Sequence, residues 1–279
     1  MNTVRSKDGT TIAFDRSGDG PAVILVGGAF SYRAFGKMVE LAELLAKDFT
    51  VVNYDRRGRG DSADTAPYAV EREIEDLGAL IDAVGGSASV WGWSSGAVLG
   101  LRAAAHGFAI EKLAMYEPPF FVDDSGRLPP PDFAARLDEL TASDRRGEAV
   151  KYFMTQGMGV PSLFVTLMRF SPFWSKLKAT APTLRYDWAI LGDTVAGRPL
   201  VASEWASVAA PTLVMAGEKS PEQLRRAARA LVDVLPGSEH RLLKGQSHNV
   251  SMKALAPVVA EFFAARGARS SNVPRASAA

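Results

Sequence analysis

The pentapeptide Gly92-Trp93-Ser94-Ser95-Gly96 is the part of the sequence with the clearest capacity for chemistry. It follows an apolar run at 89–93 and precedes a run of small residues at 95–105, so a strand would lead into it and a helix would follow it. The G-x-S-x-G spacing in that setting puts a serine hydroxyl on a sharp turn, above a helix N-terminus that favours negative charge. The pattern predicts that Ser94 is a nucleophile, and a serine that only caps a helix is the simpler alternative.

A serine nucleophile needs a neutral imidazole to take its proton. The chain has three histidines. We call the turn at residues 92–96 the elbow. His106 ends the helix after the elbow, and His240 lies in a polar strand. His248 lies in a short polar loop between the last strand and the last helix. Because the histidines are scattered and the chain has no cysteine, we expect no metal site.

Strand-like and helix-like stretches alternate along most of the chain, after a hairpin turn at Asp8-Gly9. The buried strands are short apolar runs, and the helices carry apolar residues three or four positions apart. The predicted strands are 22–26, 50–54, 89–93, 112–116, 212–216 and 240–243, and the predicted helices are 38–47, 71–84, 95–105, 221–235 and 255–266. This alternation predicts an α/β fold with a mostly parallel central sheet flanked by helices.

The alternation stops between residues 118 and 208, where proline clusters, aromatic stretches and helix-like pieces occur without an apolar strand. We predict that residues 118–208 form a helical cap inserted into a core made of residues 1–117 and 209–267. Residues 268–279 are small and polar, so we expect a disordered tail there.

The elbow and three further loops together resemble the α/β-hydrolase superfamily, over roughly residues 10–266. Leu25-Val26-Gly27-Gly28-Ala29 is similar to the oxyanion loop after the third strand. Asp55-Arg56-Arg57-Gly58-Arg59-Gly60-Asp61-Ser62 is similar to the family's D-x-R-G-x-G-x-S loop, and Gly245-Gln246-Ser247-His248 to its histidine loop. The resemblance implies an α/β-hydrolase fold in which His248 is the base that serves Ser94.

The resemblance also implies an oxyanion hole built from two backbone amides. The family uses the amide of the residue after the nucleophile, here Ser95, and one from the early loop, here Ala29. Both N–H groups would point to the oxygen that becomes negative in a tetrahedral intermediate. Gly27 stands where many relatives have histidine, which implies altered packing of this loop with the chemistry retained.

The carboxylate partner of the histidine is the position at which this chain departs from most relatives. They have an aspartate a few residues beyond the seventh strand, where this sequence has Ser220. Some relatives, among them a group of haloalkane dehalogenases, have a glutamate at the end of the sixth strand instead, and Glu117 matches that position. A carboxylate there would accept the imidazole Nδ1–H of His248 and select its tautomer. We predict that Glu117 is the acid, and Glu218, Asp124 and a dyad without an acid stay open as alternatives.

These residues predict acyl transfer to water through an acyl-enzyme on Ser94, with an ester, lactone or thioester as substrate and no cofactor. A serine nucleophile disfavours dehalogenase and epoxide-hydrolase chemistry, which uses aspartate. A non-hydrolytic acyltransferase or cyclase of the same fold stays open, as does a ligand-binding protein without turnover. Aromatic residues beside the elbow and in the predicted cap indicate a pocket for an apolar acyl compound, and we assign it to Phe30, Trp93, Phe173 and Trp174.

Composition limits the partners. The 279 residues include 32 Lys and Arg against 31 Asp and Glu, so the formal net charge is only +1. No large electrostatic field would attract nucleic acid or an anionic membrane, and a small molecule is the simpler partner. The N-terminal residues are polar and lead directly into a strand-like run, so we predict neither a signal peptide nor a membrane span, and a cytoplasmic protein.

Overall fold

A central sheet of eight strands organises the chain, and the computed structural model describes residues 1–265 of it. The strands are β1 (Asn2–Arg5), β2 (Thr11–Ser17), β3 (Ala22–Val26), β4 (Thr50–Tyr54), β5 (Ala88–Trp93), β6 (Ile110–Tyr116), β7 (Thr212–Gly217) and β8 (Ser238–Leu243). Their order across the sheet is β1-β2-β4-β3-β5-β6-β7-β8. The first two strands are antiparallel to their neighbours, and β3 to β8 are parallel. Parallel strands are the expected result of apolar runs separated by helices, because each crossover helix covers a face of the sheet.

Within residues 1–265, ten α-helices accompany this sheet. They are α1 (Gly36–Leu45), α2 (Val70–Ala83), α3 (Ser95–His106), α4 (Phe133–Ala142), α5 (Arg146–Tyr152), α6 (Ser162–Met168), α7 (Phe173–Thr180), α8 (Leu184–Leu191), α9 (Glu222–Val234) and α10 (Met252–Ala264). Side chains alternate between the two faces of each strand, so the sheet has a core on each side. One core joins the sheet to α2, α3 and α9, and the other joins it to α1 and α10.

The segment between β6 and β7 has a hydrophobic cluster of its own. Within residues 118–208 the regular structure consists of α4 to α8, a π-helical turn at Phe153–Gly157 and three short 3₁₀ turns. Buried side chains such as Phe133, Leu137 and Leu177 form this third cluster, and Phe30 of the core packs against it. We call residues 118–208 the helical segment. Its separate cluster agrees with the predicted cap, although the division of the chain into core and cap stays a prediction.

The predicted fold class is confirmed, and the predicted elements agree with the observed ones to within a few residues. The largest shift is in the last helix, which begins at Met252 where the sequence pattern begins it at 255. The end of that predicted helix at 266, the core boundary at 267 and the predicted tail at 268–279 lie outside the described residues.

Candidate active site

The three predicted catalytic side chains lie at one edge of the sheet. Ser94 follows β5 directly, Glu117 follows β6 directly, and His248 lies in the loop after β8. Parallel strands bring their carboxyl ends to a common edge. β5 and β6 are paired so that Trp93 lies beside Tyr116, and the Ser94 amide donates to the Tyr116 carbonyl at 2.9 Å. Ser94 and Glu117 therefore begin adjacent turns.

The turn at Ser94 is backbone-strained and tightly packed. Ser94 has φ 55° and ψ −124°, a backbone conformation that residues other than glycine rarely adopt. A Cβ on Gly96 would lie 2.3 Å from the carbonyl oxygen of Val26, so only glycine fits where the helix start crosses β3. Ser94 is half-buried while its neighbours Trp93 and Ser95 are buried, so the turn exposes the hydroxyl-bearing residue selectively.

Backbone strain concentrates around this edge. Among residues 1–265, four non-glycine residues have positive φ, namely Phe30 (64°), Ser94 (55°), Glu117 (50°) and Asp144 (52°). The first three lie in the loop after β3, at the turn after β5 and at the end of β6. Strained backbone of this kind persists only where the surrounding structure holds it, and it clusters at functional sites. The clustering therefore supports a functional assignment of this edge.

The Glu117 carboxylate is fully buried and has both oxygens engaged. Oε1 accepts the backbone N–H of Gly217 at 2.7 Å, and Oε2 lies 2.6 Å from Nδ1 of His248. An imidazole held this way carries its proton on Nδ1 and leaves Nε2 free to accept another. This is the arrangement in which a histidine serves as a general base.

Other contacts hold the histidine loop against the sheet. The Tyr116 hydroxyl donates to the Ser247 carbonyl at 2.7 Å, and burial together with the nearby Glu117 carboxylate raises the pKa of this tyrosine, which stays neutral. The Trp93 ring lies 6.1 Å from the His248 ring, whose side chain is 30% exposed. Within the described chain no hydrogen bond joins Ser94 Oγ to the His248 ring, so their pairing stays a prediction. Such bonds are often long without a ligand.

The two alternative acids have other environments. Glu218 Oε2 accepts the Gly245 N–H at 2.8 Å in an exposed loop, and Asp124 is exposed. Among residues 1–265 neither side chain has a hydrogen bond to His248, whereas Glu117 does. The contact geometry thus favours the acid position at the end of β6.

The loop after β3 packs directly onto the elbow. A Cβ on Gly28 would lie 2.6 Å from the Trp93 carbonyl oxygen and 3.0 Å from the Ser94 Cβ. Ala29 follows Gly28 and Ser95 follows Ser94, so the two predicted oxyanion residues each lie next to this close contact. This adjacency supports an oxyanion hole, and the orientation of the amides stays a prediction.

A buried ionic network, which the sequence patterns did not predict, contacts Ser95 and the Gly28 carbonyl beside Ala29. Its four charged members are each 1–2% exposed, and they are Arg56, Arg59, Glu73 and Asp187. Arg56 donates to both oxygens of Glu73 at 2.7 Å and to Asp187 at 2.6 Å. Asp187 also pairs with Arg59 and accepts the Ser95 hydroxyl at 2.7 Å.

Asp187 is ionised in this network. Burial by itself would raise the pKa of its carboxyl. The nearby Arg59 and Arg56 lower that pKa by more than burial raises it, so the net pKa lies below the ordinary value. A sequence signal for Asp187 exists: residues 149–186 contain no Asp or Glu, and Asp187 then appears among the apolar residues of α8. A lone carboxylate in an apolar helix needs a buried cation, and the D-x-R-G-x-G-x-S loop offers three arginines.

The predicted pocket residues lie in different surroundings. Phe30 packs edge-on against Phe153 of the helical segment at 5.7 Å between ring centroids, and Phe173 lies 6.5 Å from Phe35. Trp93 belongs to the core on the α1 and α10 side of the sheet. Trp174 is buried in the third cluster and lines an outer groove with Arg145 and Lys178. Phe30 and Phe173 thus lie where the helical segment meets the core, and the pocket assignments stay predictions.

No group of three or more His, Cys, Asp or Glu side chains that could hold a metal ion occurs within residues 1–265. In the same part of the chain, every helix is too short or too polar to cross a membrane. The arrangement that remains is a serine on a strained elbow, a histidine oriented by a buried carboxylate, and a loop of backbone amides beside them.

A sequence model of the alpha/beta hydrolase family matches residues 22–261. Among solved structures, an alpha/beta hydrolase from Sphaerobacter thermophilus DSM 20745 is similar at 55% sequence identity and a TM-score of 0.87, covering 94% of this chain and 100% of that one. Two more distant structures share the fold. An esterase from Thermogutta terrifontis has 21% identity and a TM-score of 0.69, covering 94% of this chain and 97% of that one. An enol-lactonase from Burkholderia xenovorans LB400 has 19% identity and a TM-score of 0.66, covering 94% and 99%.

Proposed function

The chain belongs to the alpha/beta hydrolase family, and on that basis we propose that it is a serine hydrolase that cleaves a carboxylic ester, lactone or thioester through an acyl-enzyme on Ser94. The observation that carries this proposal is the 2.6 Å contact between His248 Nδ1 and the buried Glu117 carboxylate. That contact supplies what a serine nucleophile requires, namely a base held in the tautomer that can accept the hydroxyl proton.

In the proposed reaction, Ser94 Oγ attacks the substrate carbonyl while His248 Nε2 takes its proton. The negative charge that develops on the carbonyl oxygen is stabilised by the amides of Ala29 and Ser95. His248 then gives its proton to the leaving alkoxide or thiolate, and the acyl group stays on Ser94. Water, deprotonated by the same histidine, then attacks the acyl-enzyme; the bond from the acyl carbon to Ser94 Oγ breaks, His248 returns the proton to Oγ, and the acid is released.

We further propose that the helical segment acts as a cap that selects the acyl group. Phe30, Phe153 and Phe173 line the region where this segment meets the core, so the selectivity is for an apolar group. The names of the distant structures include an esterase and an enol-lactonase, which agrees with an ester or a lactone as the scissile group.

The test is a hydrolysis screen with p-nitrophenyl esters of increasing acyl length, using the wild type and the Ser94→Ala variant. We expect turnover by the wild type and a loss of roughly 10³-fold or more in kcat for the variant, because the catalytic side chains act as a unit. The matched control is Ser87→Ala, which removes a hydroxyl that donates to Glu111 just before β5 begins, at the opposite end of that strand from Ser94. Near-normal turnover by Ser94→Ala would contradict the assignment of the nucleophile.

Two further measurements separate the other classes that the sequence leaves open. Covalent labelling of Ser94 by a fluorophosphonate requires an activated serine, and its absence would favour a binding protein without turnover. Product analysis with and without an added alcohol distinguishes hydrolysis from acyl transfer, since a transferase forms the new ester in preference to the free acid.

A further inference from the structure

Both amides assigned to the oxyanion hole connect through side chains to one carboxylate, Asp187 of α8. The Ser95 hydroxyl donates to Oδ1 of Asp187 at 2.7 Å. The Arg59 guanidinium pairs with Oδ2 at 2.5 Å and donates from Nη1 to the Gly28 carbonyl at 2.8 Å. The C=O of Gly28 and the N–H of Ala29 belong to the same peptide group, so Arg59 holds the opposite end of the unit that carries the second amide.

We propose that Asp187 is the positioning residue of the oxyanion hole, orienting the Ser95 amide through the Ser95 hydroxyl and the Ala29 amide through Arg59. This inference rests on the proposed function, because it assigns a task to Asp187 only if these two amides stabilise an oxyanion. Because Asp187 belongs to the helical segment, this segment would help to orient the two amides of the oxyanion hole.

Peptide planarity explains how Arg59 acts at a distance. A peptide group is rigid, so fixing the direction of the Gly28 C=O also fixes the direction of the Ala29 N–H. A cation that hydrogen-bonds the carbonyl oxygen also polarises the group and makes its N–H a stronger donor. Arg59 itself is immobilised, because it also donates to the Ser31 carbonyl at 3.1 Å and to Thr183 Oγ1 at 2.9 Å.

Burial makes these contacts specific. Asp187 and Arg59 are 1% and 2% exposed and Ser95 is 3% exposed, so water does not compete for their hydrogen bonds. The network has two arginines, Arg56 and Arg59, and two carboxylates, Glu73 and Asp187, so its formal charges balance. Removing the charge of Asp187 would leave the guanidinium of Arg59 without its carboxylate and the Ser95 hydroxyl with a weaker acceptor.

The chain offers a matched control in a second buried ion pair. Arg57 donates to both oxygens of Asp76 at 2.7 Å, and Asp76 is 1% exposed like Asp187. This pair joins the D-x-R-G-x-G-x-S loop to α2, and its hydrogen bonds include none to Ala29, Gly28 or Ser95 within the described chain. Asp76→Asn therefore breaks an ion pair of the same kind without touching the proposed hole.

The experiment compares Asp187→Asn, Asp76→Asn and Ser95→Ala with the wild type, using kcat and KM on one p-nitrophenyl ester and the melting temperature of each protein. Both Asn variants should have a lower melting temperature than the wild type, because each loses a buried ion pair. Only Asp187→Asn should lose kcat, by roughly 10- to 100-fold, with KM little changed, because a misplaced donor weakens the transition state more than the bound ester.

Ser95→Ala removes one of the two connections without removing a charge, and it decides the matter if Asp187→Asn does not fold. We expect its kcat to fall roughly tenfold, and we expect the double variant with Asp187→Asn to lose less than the product of the single losses. Unchanged kcat in Ser95→Ala, or the same kcat in Asp187→Asn and Asp76→Asn, would overturn the inference. A wild type that neither turns over esters nor labels at Ser94 would overturn the proposed function as well, so the two failures are distinguishable.

Discussion

The substitution Glu117→Gln tests the proposed acid with the smallest possible change. The glutamine has nearly the volume of glutamate, but it replaces one acceptor oxygen with a donor amide. Glu117 now accepts the Gly217 N–H at 2.7 Å and contacts His248 Nδ1 at 2.6 Å, so both of its oxygens face donors. The amide can satisfy both contacts only if its NH₂ group faces His248 and the imidazole changes tautomer.

Each orientation of the amide has a definite cost. If the NH₂ group faces His248, the imidazole accepts on Nδ1 and carries its proton on Nε2, where it cannot take the proton of Ser94. If the NH₂ group faces Gly217, two donors meet in a site that is fully buried, which costs about 1–3 kcal/mol. The first orientation avoids the second cost, so the wrong tautomer should dominate.

We therefore expect kcat to fall by roughly 10²- to 10⁴-fold when the third member of the proposed triad is neutralised. In terms of the activation barrier this is about 2.7–5.4 kcal/mol, at 1.36 kcal/mol for each factor of ten. KM should change much less, because Glu117 lies behind the histidine and its proposed role is felt in the transition state.

The assay measures kcat and KM for Glu117→Gln, Glu218→Gln and Asp124→Asn on one ester, with the melting temperature as a check of folding. Glu218→Gln is the matched control, because Glu218 accepts the Gly245 N–H at 2.8 Å in an exposed loop next to the same sheet edge. Near-wild-type kcat for Glu117→Gln, or a large fall only in Glu218→Gln or Asp124→Asn, would refute the assignment.

Two further predictions concern selectivity and acid stability. Phe173→Ala should change the preference among acyl lengths more than it changes the melting temperature, whereas Phe170→Ala, at an 86% exposed position of the same segment, should change neither; equal proportional loss for all lengths would count against this. The lowered pKa of Asp187 means that its carboxyl binds a proton more weakly in the folded than in the unfolded chain, so its contribution to stability is present at neutral pH and is lost as the pH falls through the folded-state pKa. The difference in unfolding free energy between wild type and Asp187→Asn, measured with urea, should therefore shrink from about pH 6 to about pH 3, and a constant difference would contradict it.

Local patterns predicted the elements that carry the site because those patterns act over short distances. The apolar run 89–93 and the small residues after Ser94 are enough to indicate a strand, a turn and a helix, and the structure has β5 and α3 there. The alternation of such runs was also enough to predict the mostly parallel sheet. The histidine loop follows β8, so the parallel sheet brings His248 to the same edge as Ser94.

Residue types and spacing are enough to indicate which side chains could do chemistry, because the G-x-S-x-G turn and the histidine loop are local motifs. Which carboxylate faces His248 depends on the packing of the whole chain. Glu117 and Glu218 follow the neighbouring strands β6 and β7, and Glu117 lies 2.6 Å from Nδ1 of the ring while Glu218 accepts the Gly245 N–H. The tertiary structure also decided that Asp187 contacts Ser95, from which it is separated by 92 positions along the chain. No local pattern encodes such a contact, because the attraction between a buried carboxylate and its partners depends on which helices pack together and how far water is excluded.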